Sequence, residues 1–237
     1  IPTSLVFANG GVICTNGSQM LFLKDTTGDD KADIREVLFE GFNMGDTHAG
    51  VSNLRHGFDG WIYATIGYSG FRGTVGGMDH RFAQGLFRFL PDGSTMEWLQ
   101  PTTNNTWGLG FTEEFDVMGS TANGNPSFYL TFPKSIYESV SLDQGRTPRA
   151  DDNPIFNPSS ADIRQVDQFD KYTAAAGHAV YTSSRFPVSY QNKVAFVCGP
   201  TAKLVGHFDL SREGAGWKSI QSPNNFYNSA DAWSSPV

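Results

Sequence analysis

The chain has 237 residues, 39% hydrophobic, 14% aromatic and only 17% charged, with 26 Gly and 12 Pro. That mix suits many short strands joined by tight turns, and the length suits one all-β domain. A net charge of −7 with no basic cluster excludes a phosphate-backbone binder, so no nucleic-acid partner is expected. No apolar run approaches the roughly 20 residues of a membrane span.

The chain opens on strand material, IPTSLVF, and stops at AWSSPV, which reads like the entry to another strand. The expectation is a piece of a longer protein. Four segments then share one plan, an approach strand, a turn and an apolar strand ending in small residues. They are LVFANGGVICTNG (5–17), LRHGFDGWIYATIG (54–67), LGFTEEFDVMGST (109–121) and SYQNKVAFVCG (189–199). Alternating third strands follow at MLFLKD (20–25), GLFRFL (85–90) and KLVGHFDL (203–210), and the turn Pro91-Asp92-Gly93 leads to a fourth at TMEWL (95–99).

Strand units with a period of about 50 residues predict an all-β fold, a β-propeller of four-stranded blades. At that period the chain holds roughly four to five blades, an incomplete part of a six-bladed or larger ring. A sandwich would not need the repeated plan. The expected organisation is one propeller domain over 1–237 with a long inserted loop at about 133–170, rich in Pro, Asp, Asn and Ser. Within that insertion SIYESVSL (135–142) has room for one or two helical turns.

Between the first two segments lies an acidic run. Asp25, Thr27, Asp29, Asp33 and Glu36 fall at positions 1, 3, 5, 9 and 12 of an EF-hand-like loop, with Lys31 at position 7. Thr27 replaces an acid and Asp30 the usual Gly. A structural calcium is one reading, a solvated acidic turn the other. GYSGFRGTVGG (67–77) is Gly-rich without phosphate-loop spacing and reads as an exposed loop. Cys14 and Cys198 sit in apolar runs and read as buried free thiols; there is no CxxCH, hence no covalent haem site.

Several strings together carry a family resemblance: KDTTGDDKADIREVLFEGF, GDTHAGVSNLRHGFDGWIYATIGYSGF, NNTWGLGF, GSTANGNPS and AAAGHAVYTSSRFPVSYQNKVAFVCGPTAKLVGHF. They resemble the planctomycete-type membrane-bound dehydrogenase β-propeller domain. That family is similar to the soluble quinoprotein glucose and sorbosone dehydrogenases. The resemblance implies a bacterial periplasmic or secreted, cell-surface setting. It also implies oxidation of a sugar or other alcohol, with a c-type cytochrome module or partner chain as electron exit. In the related enzymes a His takes the hydroxyl proton while hydride moves to pyrroloquinoline quinone (PQQ), with calcium polarising the quinone.

Carried onto this sequence, His48 in GDTHAG stands where the catalytic His is expected. Asp46, two residues earlier, would face the same side of an extended loop and orient the ring. Asn104–Gly108 resemble the Arg-Asn-Pro-x-Gly segment that contacts the quinone; Asn105 matches, but Asn104 replaces the Arg that would pair with cofactor carboxylates. Gly124, Asn125 and Pro126 resemble the turn whose carbonyls help hold calcium. His178 and Lys203 fall in segments that reach the active face and are further candidates for cofactor contact. The competing reading is a non-catalytic propeller that binds carbohydrate or protein, using aromatic platforms in place of basic side chains. A hydrolase or lyase would need a paired acid and base that the sequence does not display.

Overall fold

The computed structural model describes residues 2–151, 155–158 and 171–237. Its regular secondary structure is almost wholly antiparallel strand, and it belongs to the β-propeller class expected from the sequence. Two compact units divide the chain: Ile1–Pro101 with Phe132–Gly145, and Thr102–Thr131 with Arg146–Val237.

The first unit begins with a complete blade, β1 (Leu5–Ala8), β2 (Gly11–Asn16), β3 (Gln19–Lys24) and β4 (Ile34–Glu40), paired in that order. Asn9 and Gly10 both have positive φ, 53° and 72°, so they make the two-residue turn whose twist suits a hairpin. The second sheet has the order β10 (Met96–Pro101), β9 (Gly85–Phe89), β6 (Ile62–Ile66) and β5 (Val51–His56).

Between β6 and β9 the chain makes a separate hairpin, β7 (Phe71–Val75) and β8 (Met78–Phe82). This corrects the expectation of an exposed loop over 67–77. Gly76 and Gly77 form its turn, and Phe71 and Val75, two positions of one strand face, are each 3% exposed. Glycine count misled; period-2 burial decided the state.

An aromatic lattice fills the core of this unit. Phe39 meets Phe89 at 5.1 Å, Phe42 meets Phe71 at 4.9 Å, and Phe82 stacks on Phe71 at 5.2 Å and on Trp98 at 4.4 Å. Such pairs each add about 0.5–1.5 kcal/mol beyond burial. The helix α1 (Lys134–Ser139) lies in the expected insertion, where Ser135 Oγ donates to Glu97 at 2.9 Å. Residues 152–154 and 159–170 of that insertion lie outside the described residues.

The second unit contains a three-stranded sheet, β11 (Thr106–Phe111), β12 (Val117–Thr121) and β13 (Phe128–Tyr129). It also contains the blade β14 (Ala176–Val180), β15 (Val194–Gly199), β16 (Leu204–Glu213) and β17 (Gly216–Gln221), with β18 (Tyr227–Asn228) added to β16. SYQNK is not the approach strand of β15 that the repeat suggested; β14 is, and Tyr181, Phe186 and Tyr190 of the intervening stretch pack together and against Phe196 of β15. β14 lies so close to β11 that a Cβ on Gly108 would come 2.7 Å from the Gly177 carbonyl oxygen. Phe156, Tyr172, Val197, Phe208 and Trp217 are among the core residues here.

Candidate functional site

In the first unit the chain leaves β4 through Gly41 and turns into a short 3-10 helix at Thr47–Ala49. Asp46 caps it, accepting the His48 backbone N–H at 2.8 Å. The expected extended loop is therefore a capped turn. It still brings the pair together, with His48 Nδ1 3.5 Å from Asp46 Oδ1, within ion-pair reach. The His48 side chain is 91% exposed.

Asp46 is held from the other side as well. Tyr68 OH donates to its Oδ2, and Ser69 Oγ donates to its carbonyl at 2.8 Å. The Tyr68 hydrogen bond, followed by that from the His48 backbone, lowers the Asp46 pKa below the usual carboxylate range. The same contact raises the Tyr68 hydroxyl. Asp46 is thus a fixed anion at neutral pH, suited to orient an imidazole.

Tyr68 and Ser69 also line a cleft of about 590 Å³, together with Asn43, Phe71, Arg72 and Arg81. The hairpin wall of the cleft is fastened to the 41–43 segment by Arg72 N–H to Gly41 O at 2.9 Å and Asn43 N–H to Gly70 O at 3.1 Å. The volume falls in the ordinary range for small-molecule sites. Tyr68, Arg72 and Arg81 were absent from the sequence reading. The Gly-Gly pair between alternating strands is the signal that would have placed the two arginines on one hairpin.

In the second unit the other candidates are arranged differently. His178 is 1% exposed, with Nε2 3.0 Å from Ser127 Oγ, and a Cβ on Gly110 would meet its carbonyl at 2.5 Å. It is a core histidine clasped between strands. Lys203 is also 1% exposed, in a left-handed turn conformation at φ 56°. Asn105 donates its backbone N–H to Asn104 Oδ1 at 2.8 Å, and its carbonyl accepts from Ala122 at 2.7 Å. Asn104, where the resemblance expects Arg, caps this turn and also receives Asn123 Nδ2 at 3.3 Å.

Gly124 has φ +68° and serves the turn as such; Asn125 is 1% exposed, its Nδ2 3.4 Å from Thr103 Oγ1. In the acidic loop, Asp25 accepts backbone N–H groups from Thr27, Gly28 and Asp30 at 2.7–2.9 Å. Asp33 accepts from the Thr26 backbone and hydroxyl at 2.8 and 2.9 Å, and Asp29 from Lys31 N–H at 3.1 Å. These bonds depress the Asp25 and Asp33 carboxyls, led by Gly28 and Thr26 respectively. Glu36 stands on β4, paired in register with Phe22. Among the described residues no three His, Cys, Asp or Glu side chains converge as a metal would require. The acidic loop is closed by its own backbone hydrogen bonds and does not form a preformed calcium cage. Cys14 and Cys198 are free thiols, and burial raises both.

No helix among the described residues is long and apolar enough to cross a membrane. Among solved structures the chain is similar to a glucose dehydrogenase, with a TM-score of 0.56 and 13% identity over 93% of this chain and 71% of that one. It is also similar to a luciferin-regenerating enzyme, with a TM-score of 0.51 and 7% identity over 94% of this chain. The match covers 64% of that enzyme, so the chain spans under two thirds of its length. At such identities the likeness is one of fold. No curated protein matches the sequence. A family model does match, over residues 1–237, and the chain therefore belongs to the family described as Domain of unknown function (DUF7133).

Proposed function

We propose that this propeller oxidises a sugar or another alcohol, with His48 taking the hydroxyl proton and Asp46 orienting its ring. The observation that carries the reading is the linked set His48, Asp46 and Tyr68, of which Tyr68 lines the 590 Å³ cleft. An exposed imidazole beside a fixed carboxylate has the chemistry of a general base. The glucose dehydrogenase-like fold and the family resemblance of GDTHAG agree with it.

On this reading a quinone, if bound, would supply the hydride acceptor and a c-type cytochrome module or partner chain the electron exit, in a periplasmic or cell-surface setting. The residues expected to hold PQQ do not fit it as they stand. His178 and Lys203 are buried, and Asn104 and Asn105 are committed to their own turn.

That mismatch favours a second reading, a non-catalytic propeller that binds carbohydrate or protein. Titration with PQQ and calcium, followed in the quinone absorption band, separates the two. Saturable binding supports oxidation. No binding at high micromolar cofactor leaves the binding module.

A further inference from the structure

The protein carries a net charge of −7, yet the charged residues lining the cleft are two arginines, Arg72 and Arg81. They are directly opposite across β7 and β8. Because Arg72 gives its N–H to Gly41 O, the pair is of the non-hydrogen-bonded type, where cross-strand side chains come closest. Like charges so placed repel. Neither guanidinium forms an ion pair among the described residues.

The neighbouring carboxylates are otherwise engaged. Asp46 is taken by Tyr68 OH and the His48 N–H, and Asp79, on the same hairpin face, accepts Thr74 Oγ1 at 2.6 Å. The rest of the lining includes Asn43, Ser69 and Tyr68, neutral residues able to hydrogen-bond. Two forked cations over hydroxyl-matching groups recognise an anion on a polar ring.

From this we infer that the cleft binds an anionic sugar, a monosaccharide-sized ring bearing a carboxylate, with Arg72 and Arg81 on the carboxylate. The inference names the ligand class of the site proposed above; only the word substrate rests on the oxidation reading. Binding is read without turnover, so the two fail separately.

The test is calorimetric titration of the full chain, without cofactor, with D-glucuronate and with D-glucose, in wild type and R72Q/R81Q. Glucuronate should bind at least about tenfold more tightly than glucose, the advantage should shrink with salt, and it should vanish in the double variant. Both positions are exposed, and removing the repulsion should leave the variant melting no lower than wild type, which shows that it folds. Equal affinity for the two sugars, absent glucuronate binding, or an unchanged double variant overturns the inference. Inorganic phosphate binding as tightly as glucuronate removes the sugar from it. PQQ, a tricarboxylate, displacing glucuronate at lower concentration would make the site a cofactor cradle and overturn it equally.

Discussion

Replacing Gly41 by alanine tests how the cleft wall is held. Gly41 has φ +137°, far from the left-handed well that other residues tolerate, and a Cβ there would lie 2.4 Å from the Arg72 carbonyl oxygen. Ordinary contact begins near 3.4 Å, so one backbone must move by about 1 Å. Neither is free to do so. Gly41 N–H is bonded to Ser18 O at 3.0 Å and Arg72 N–H to Gly41 O at 2.9 Å. Backbone strain of about 1–2 kcal/mol and overpacking of about 1–3 kcal/mol give a loss of about 2–5 kcal/mol. For a chain this long that lowers Tm by roughly 4–20 °C. Gly60 is the control. Its φ is +83° and no atom lies within 4 Å of the place a methyl would take, so Gly60→Ala carries the strain alone, about 1–2 kcal/mol. Urea titration of both variants reads the difference. A Gly41→Ala loss no larger than that of Gly60→Ala would refute the close-approach argument.

Three further outcomes are expected. Arg88 bonds Glu97 at 2.6 and 2.8 Å and Asp59 at 2.7 Å, and its guanidinium lies 4.5 Å from the Trp61 ring centroid, so Arg88→Met should cost about 2–4 kcal/mol in urea titration. A loss under about 0.5 kcal/mol would mean the network behaves as a solvated surface pair. Burial, then the Asp59 hydrogen bond, pushes Tyr63 up to about 12 from 10.0. The folded state therefore holds this proton longer than the unfolded one; its contribution is complete below pH 10 and is lost as pH rises to about 12, a slope that Tyr63→Phe should flatten in alkaline unfolding curves. His178→Ala should cost about 2–4 kcal/mol through a cavity and the lost Ser127 contact, whereas His48→Ala, exposed, should stay within about 0.5 kcal/mol by the same measurement.

The blades were legible because strand alternation and Gly turns act locally. Asn9-Gly10 closes the predicted first hairpin, and MLFLKD and GLFRFL lie in β3 and β9 as expected. The hairpin at 71–82 was hidden because Gly73, Gly76 and Gly77 outweighed Phe71 and Val75 in a composition argument, although burial of those two side chains decides the state. The approach strand of β15 was misplaced for a similar reason. Tyr190 sits in an aromatic cluster formed through space, and β14 lies a loop away in sequence. At the site, His48 was singled out by resemblance and Asp46 by an extended loop that is in fact a capped turn; Tyr68 was not foreseen, since a contact 22 residues away leaves no local pattern. Burial of His178 and Lys203 depends on close backbone approaches at Gly108 and Gly110 and on turn geometry, which single residues do not announce.

The most direct test of the central claim is sugar-dependent reduction of an acceptor dye by the full chain supplied with PQQ and calcium, in wild type and His48→Gln. The account predicts turnover with at least one sugar or sugar acid, reduced about 100-fold or more in His48→Gln while the far-ultraviolet circular dichroism is unchanged. No dye reduction at saturating PQQ, or a His48→Gln variant as fast as wild type, would contradict it.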